Sequence, residues 1–205
     1  MAEHSRYSVG SEEVENGEGI LKNKLGIKNR IELVDTETVL LADTFNHFFV
    51  LFSQDRLKFD LSLLFQIHKY FFIHLYSWAG KIRTVDISKN GMLFASVAHL
   101  AFSLKEFESI LKLHTPDKND TKKQIAADLA VLHCELNAIH PFREGNGRTI
   151  RLFLDLLASR AEYAPIDWSR KTQDQYIQAC IKGMTKQYLP MAKIIYTGLS
   201  RNSKS

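Results

Sequence analysis

One short segment, residues 140–151 with the sequence HPFREGNGRTIR, constrains the fold more than any other part of the chain. Upstream of it, residues 125–136 are mostly apolar and contain neither Gly nor Pro, which predicts a buried helix. Pro141 disfavours the helical conformation of the residue before it, so this helix should end near His140. Apolar side chains then recur at helical spacing over residues 150–157. The sequence therefore predicts a helix, a Gly-rich turn and a second helix.

The same segment carries side chains that suit the binding and transfer of a phosphate group. A neutral imidazole such as that of His140 can take a proton near pH 7, because its ordinary pKa is about 6.5. The carboxylate of Glu144 is the kind of ligand that Mg²⁺ prefers. The turn at residues 145–147 would lie at the amino end of a helix, where backbone N–H groups favour bound phosphate. Arg148 and Arg151 follow one turn apart and would extend this predicted phosphate site.

The segment resembles the signature of the Fic (filamentation induced by cAMP) domain, His-x-Phe-x-(Asp/Glu)-Gly-Asn-Gly-Arg-x-x-Arg, and fills every specified position. Residues 21–27, 67–70, 78–83 and 166–168 are also similar to this family, so the resemblance covers residues 20–195. It implies an all-α fold, a helical bundle with a short β-hairpin flap. It also implies transfer of AMP from ATP to a Ser, Thr or Tyr hydroxyl of a target protein.

The resemblance assigns a role to each residue of the motif by position. His140 would be the general base that deprotonates the target hydroxyl, and Glu144 would hold Mg²⁺ between the α- and β-phosphates. Arg148 would neutralise the phosphates and Arg151 would hold the γ-phosphate. Phe142 would anchor the loop. The anion-binding turn would be formed by Gly145, Asn146 and Gly147.

A hairpin is predicted between two of the helices, where β-branched residues flank an Asn-Gly pair. Its simplest interpretation is a surface connection. The resemblance favours a flap whose exposed edge pairs with an extended segment of the target protein. We predict that this target-binding flap consists of Ile87, Ser88, Lys89, Asn90, Gly91, Met92, Leu93 and Phe94.

The rest of the chain predicts further helices within one soluble domain. The domain should span residues 20–199, between a flexible acidic segment at residues 1–19 and a tail at residues 200–205. Pro190 should lie in the first turn of the last helix. Besides those around the motif, helices are predicted at residues 36–52 with Asp35 as the cap, 60–76, 96–113, 172–181 and 186–199.

Composition bounds the partners and the location of the chain. Lys and Arg number 27 against 23 Asp and Glu, and the basic residues are scattered, so neither nucleic acid nor membrane is predicted as a partner. Cys134 and Cys180 lie far apart in helical patterns, which predicts buried thiols in a reducing compartment. Residues 1–6 lead into polar sequence without an apolar signal. We expect a bacterial cytoplasmic protein, and delivery into another cell stays open.

The regulation of the predicted enzyme leaves two alternatives. Fic enzymes are commonly inhibited by a helix with the pattern (Ser/Thr)-x-x-x-Glu-(Gly/Asn), whose Glu pairs with the second arginine of the motif. Residues 11–16 fit this pattern with Glu15 in the inhibitory position. Because so loose a pattern arises easily in a Glu-rich segment, we favour inhibition by a separate small antitoxin protein.

Three functions are compatible with the motif. The first is AMP transfer from ATP with Mg²⁺ by a bacterial toxin or effector. The others are transfer of another nucleotide or phosphate group on the same scaffold, and a catalytically idle binding module. The Gly-Asn-Gly turn favours AMP transfer, and the presence of His140, Glu144 and Arg148 together argues against an idle module.

Overall fold

The computed structural model describes residues 20–89 and 92–202. In these ranges the chain forms seven α-helices and one two-stranded antiparallel hairpin, which confirms the predicted all-α bundle with a short hairpin. The predicted acidic segment and Glu15 lie outside the described residues. The elements are α1 (Arg30–Ser53), α2 (Leu61–Phe72), β1 (Ser88–Lys89), β2 (Met92–Leu93), α3 (Leu100–His114), α4 (Lys122–Ile139), α5 (Asn146–Arg160), α6 (Gln173–Gly183) and α7 (Leu189–Gly198).

The helix α4 lies at the centre of the bundle and packs against α3, α5, α6 and α7. Buried residues lie around most of its circumference, as expected for a helix that has neighbours on several sides. Leu129 and Leu132 are fully buried in it, and each buried leucine side chain contributes about 1.5–3 kcal/mol to stability. The predicted motif starts at the end of α4 and finishes within α5. Because α5 packs against both α2 and α4, the two ends of the motif are held in place.

The start of α1 corrects one prediction. The helix begins at Arg30, not at Thr36, and Asp35 is not its cap. The cap is Asn29, whose Oδ1 accepts a hydrogen bond from the backbone N–H of Ile31 at 2.8 Å. This side chain satisfies a first-turn N–H that would otherwise lack a partner, so the helix can start there.

Other helix limits were predicted more closely. Asp60 caps α2 as the first predicted residue, but the helix ends at Phe72 because the chain tightens into a turn. In that turn the N–H of Leu75 donates to the carbonyl of Phe72 at 2.9 Å. Pro190 lies in the first turn of α7, as predicted. The predicted third helix is regular from Leu100, after a short 3-10 turn.

None of the helices in the described ranges is long and apolar enough to cross a bilayer.

Candidate active site

His140 closes the carboxyl end of α4 in a left-handed conformation, with φ 49°. Its backbone N–H donates to the carbonyl of Leu136 at 2.9 Å, and its Nδ1 lies 2.7 Å from the carbonyl oxygen of Asn137. A carbonyl oxygen can only accept, so Nδ1 carries the hydrogen and Nε2 carries the lone pair. The backbone of α4 therefore selects the tautomer in which Nε2 is the basic atom.

The surroundings of His140 keep its imidazole neutral. Its ring stacks on Phe94 with centroids 3.7 Å apart, and only 5% of the residue is exposed. The pKa of His140 is lowered to about 3, mainly by burial and also by the positive charges of Lys89 and Arg83. The hydrogen bond to Asn137 acts in the opposite direction. The imidazole is therefore unprotonated at neutral pH, as a general base requires.

Phe142 and Asn146 hold the loop that follows His140. The Oδ1 of Asn146 accepts from the N–H of Phe142 at 2.9 Å, and its Nδ2 donates to the carbonyl of Phe142 at 2.8 Å. Asn146 is fully buried, so its side chain holds the shape of the turn and does not reach the surface of the predicted anion site. The ring of Phe142 stacks on His68 at 3.8 Å, which confirms Phe142 as an apolar anchor.

His68 connects the loop to the segment that precedes the flap. Its Nε2 donates to the backbone carbonyl of Glu144 at 3.0 Å, while its Nδ1 accepts from the N–H of Gly80 at 2.8 Å. Burial lowers the pKa of His68 to about 3, so the ring stays neutral and can do both. The two family-like segments at residues 67–70 and 78–83 therefore meet at the motif loop.

Glu144 offers one carboxylate beside the turn. Its Oε1 accepts from the N–H of Gly145 at 2.8 Å and lies 3.8 Å from Nη2 of Arg148. Within residues 20–89 and 92–202, no three His, Cys, Asp or Glu side chains converge on a common metal position. A lone carboxylate suits Mg²⁺, which takes its remaining ligands from water and phosphate, and does not suit a structural zinc ion.

Arg148 is held by a residue that sequence reasoning missed. Its Nη1 donates to Oε2 of Glu37 at 2.8 Å, and its guanidinium lies over the rings of Phe71 and Phe72, 4.9 and 5.5 Å from their centroids. Glu37 belongs to α1 and is 7% exposed. The available signal was a carboxylate at helical spacing from the apolar Leu33 in the same helix. The buried face of α1 also carries Leu33, Thr44 and Phe48.

Arg151 lies against the opposite wall, which α6 provides. Its guanidinium is 5.8 Å from the ring centroid of Tyr176, and the hydroxyl of Tyr176 is hydrogen-bonded to Nε2 of His133 at 2.7 Å. Burial lowers the pKa of His133 to about 3, and Arg151 also lowers it. A neutral histidine behind Tyr176 leaves the positive charge at this wall on Arg151.

Most residues of the predicted motif site line one open cleft together with part of the predicted flap, whereas Asn146 does not line it. Asn137, Ile177 and Cys180 also line it and were not predicted as site residues. Both cysteines are buried thiols, as predicted. The lining residues are Lys89, Met92, Phe94, Asn137, His140, Glu144, Gly145, Gly147, Arg148, Arg151, Tyr176, Ile177 and Cys180.

The hairpin borders this cleft. Strands β1 and β2 pair antiparallel, and the predicted flap residues Asn90 and Gly91 lie outside the described residues. Ile87 and Phe94 are 1% and 5% exposed, whereas Leu93 is 71% exposed. Ile87 and Phe94 therefore anchor the hairpin, and among the predicted flap residues Leu93 presents its side chain to solvent.

Arg83 ties the hairpin to the catalytic loop and was not singled out from the sequence. Its Nε donates to the carbonyl of His140 at 2.8 Å, and its Nη1 donates to the carbonyl of Val85 at 2.7 Å. Its Nη2 donates to the carbonyl of Ala95 on the other side of the hairpin. One buried arginine thus joins both ends of the flap to His140.

The sequence comparisons agree with this geometry. Residues 58–158 match the model of the Fic/DOC family. The probable protein adenylyltransferase Fic of Escherichia coli K12 is 30% identical over 173 residues, which cover 80% of this chain and 79% of that protein. The chain belongs to the Fic/DOC family. The protein adenylyltransferase VbhT of Bartonella schoenbuchensis is 34% identical over 164 residues, and the chain spans about a third of its length (34%).

Solved Fic structures share the whole architecture. The Fic domain of a Bartonella quintana VirB-translocated effector with bound ADP aligns with a TM-score of 0.80 and 26% identity, covering 93% of this chain and 95% of that one. BepC of Bartonella tribocorum with bound AMPPNP aligns with a TM-score of 0.78 and 25% identity, covering 93% and 97%. The Fic fold is therefore confirmed, and two similar domains bind adenine nucleotides.

Proposed function

We propose that this Fic-family chain is a protein adenylyltransferase that moves AMP from ATP to a Ser, Thr or Tyr hydroxyl of another protein. The observation that carries the proposal is the state of His140. Its imidazole is neutral, it lines the cleft, and the bond from Nδ1 to the carbonyl of Asn137 assigns the lone pair to Nε2. These are the properties of a general base for a hydroxyl group.

The proposed step is a displacement at the α-phosphorus of ATP. Nε2 of His140 takes the proton of the target hydroxyl, and the hydroxyl oxygen forms a bond to the α-phosphorus. The bond from the α-phosphorus to the bridging oxygen of the β-phosphate breaks, and pyrophosphate leaves. Base catalysis of this kind contributes typically about 10²–10⁴-fold to a rate. The protein supplies the rest mainly by positioning and charge neutralisation.

The phosphates would lie along the amino end of α5. The backbone N–H groups in the first turn of α5 would face the phosphates at the favourable end of the helix dipole. Arg148 and Arg151 line the same cleft and would neutralise the phosphate charge. Glu144 would hold Mg²⁺, which when bound supplies further positive charge to the phosphate oxygens.

The target protein would bind along the hairpin by β-augmentation. Backbone hydrogen bonds to a strand edge fix an extended segment in register whatever its side chains are. The stacking of Phe94 on His140, and the hydrogen bonds of Arg83 to the carbonyls of His140 and Ala95, couple this edge to the base. The position of the flap relative to the imidazole is therefore fixed, and a reaction between two bound substrates requires such fixed positions.

The reaction is tested by incubating a cell lysate with the chain and ATP labelled at either the α- or the γ-phosphate. The proposal predicts that a protein acquires label from the α-phosphate alone. Label from the γ-phosphate would instead establish phosphate transfer on the same scaffold. No label from either, in the presence of Mg²⁺ and with ATP bound, would support a binding module.

We further propose a bacterial toxin or a delivered effector that a small antitoxin protein inhibits in trans. The relation to VirB-translocated Bartonella effectors supports the effector form. Deletion of residues 1–19, or Glu15→Gly, should leave AMP transfer by the purified chain unchanged. A several-fold activation by either change would instead support inhibition in cis by Glu15.

A further inference from the structure

Glu37 in α1 lies against Arg148 of the motif, and the two residues are 111 positions apart in the sequence. Side-chain exposure is 9% for Glu37 and 23% for Arg148. Glu37 is absent from the lining of the cleft, whereas Arg148 lines it. We propose that Glu37 is a positioning residue that orients the guanidinium of Arg148 toward the phosphates of a bound adenine nucleotide. This inference rests on the proposed function of the cleft.

The contacts hold both members of the pair. Oε2 of Glu37 accepts from Nη1 of Arg148 at 2.8 Å, and Oε1 of Glu37 accepts from the hydroxyl of Tyr76 at 3.3 Å. Tyr76 is buried and stacks on Trp78 with ring centroids 4.3 Å apart. One oxygen of the carboxylate is therefore held from outside the cleft by the hydroxyl of Tyr76, while the other accepts from Arg148.

Arg148 is restrained on its face as well as at one edge. The rings of Phe71 and Phe72 lie under the guanidinium, and Glu37 takes one of its five N–H donors. An arginine that is already ordered loses less rotamer freedom when it binds a phosphate, which strengthens binding. The remaining N–H donors can then be presented to the cleft in a fixed direction.

Orientation and charge make opposite predictions for this pair. Glu37 and Glu144 both lie near Arg148, so a negative charge removed from Glu37 would leave the site more positive. If charge dominated, loss of that carboxylate should strengthen the binding of an anionic nucleotide. If orientation dominates, loss of the contact should weaken binding even when the charge stays. Two conservative substitutions separate these effects.

Glu37→Asp keeps the charge but shortens the side chain by one methylene, so the contact with Arg148 is lost. Glu37→Gln keeps the length, and its amide oxygen can still accept from Nη1. We expect isothermal titration calorimetry to show ADP binding about tenfold weaker in Glu37→Asp and within about threefold of the unmodified chain in Glu37→Gln. Glu32→Gln removes a charge from the exposed face of the same helix and should leave ADP affinity unchanged.

A double-mutant cycle distinguishes orientation of Arg148 from general support of the fold. In an Arg148→Ala background, Glu37→Asp should cause no further loss of ADP affinity, since its effect passes through the guanidinium. An equal loss in both backgrounds would overturn the inference in favour of a structural role. Tighter binding by Glu37→Gln together with unchanged binding by Glu37→Asp would overturn it in favour of charge. Circular dichroism confirms that each variant is folded.

The same titrations keep the inference separate from the proposed function. If ADP binds and the cycle shows coupling, but no protein accepts AMP, the positioning role stands and the transfer reaction is wrong. If the unmodified chain binds no ADP, both are wrong. If Glu37→Asp folds poorly, Glu37→Ala replaces it in the same cycle, and a loss of ADP affinity that persists in the Arg148→Ala background also contradicts the proposal.

Discussion

Gly145→Ala tests whether the phosphate-binding turn depends on glycine for a packing reason. Gly145 has a φ of 77°, and a Cβ built on it would lie 2.1 Å from Cε2 and 2.6 Å from Cζ of Phe72. A left-handed conformation costs an L-residue about 1–2 kcal/mol, and overpacking of a close-packed site typically adds about 1–3 kcal/mol. Phe72 is fully buried and stacks on Phe71 at 4.0 Å, so it cannot move away cheaply.

Together these two costs predict a loss of about 2–5 kcal/mol in the free energy of unfolding, out of about 5–15 kcal/mol for a domain. Two other glycines serve as matched controls. Gly26 has a φ of 67°, and a Cβ added to it would meet nothing within 4 Å, so Gly26→Ala should show the backbone cost alone. A Cβ added to Gly147 would meet only Nη1 of Arg151, at 3.7 Å, so Gly147→Ala should fold normally.

Urea unfolding followed by far-UV circular dichroism measures all three variants. Gly145→Ala should be about 1–3 kcal/mol less stable than Gly26→Ala, and the difference is the contribution of the clash with Phe72. Phe72→Leu in the Gly145→Ala chain should recover part of this difference by making room. If Gly145→Ala and Gly26→Ala are equally stable, the close packing of Phe72 against the turn is not what requires glycine.

Three further predictions concern titration and metal. The kcat/KM for AMP transfer should stay level from about pH 7.5 to pH 5.5, because the pKa of His140 is lowered to about 3; a fall centred near 6.5 would contradict its burial. Glu144→Gln should raise the Mg²⁺ concentration needed for half-maximal transfer, and an unchanged Mg²⁺ profile would remove Glu144 as a ligand. Burial raises the pKa of Asp155 from 3.8 to about 7, so its contribution to stability is fully present below pH 3.8 and is lost as pH rises through 7. Asp155→Asn, whose amide oxygen can still accept from the N–H groups of Ile166 and Trp168, should therefore remove that pH dependence from urea unfolding; persistence of the dependence would contradict it.

Local chemistry made the centre of the site predictable. Pro141 ends α4, and the glycines allow the turn before α5, so a dozen residues define helix, loop and helix. The position of His140 at the helix end followed from the same reasoning. The tautomer of His140 did not, because it depends on a distance to the carbonyl of Asn137.

Contacts between distant segments were not predictable in this way. Glu37 contacts Arg148 only because α1 packs against α5, and no local sequence pattern predicts that packing. The prediction of where α1 starts was wrong for a related reason. Asn29 and Asp35 both suit a helix cap, and the structure uses the earlier one, so that the buried Leu33 lies within the helix.

The central claim is that Nε2 of His140 takes the proton of a target hydroxyl during AMP transfer. The most direct measurement compares the unmodified chain with His140→Ala, using ATP labelled at the α-phosphate and calorimetric titration of ATP. We predict unchanged ATP affinity and a loss of target labelling of at least about 10²-fold. Undiminished labelling by a correctly folded His140→Ala variant would contradict the claim.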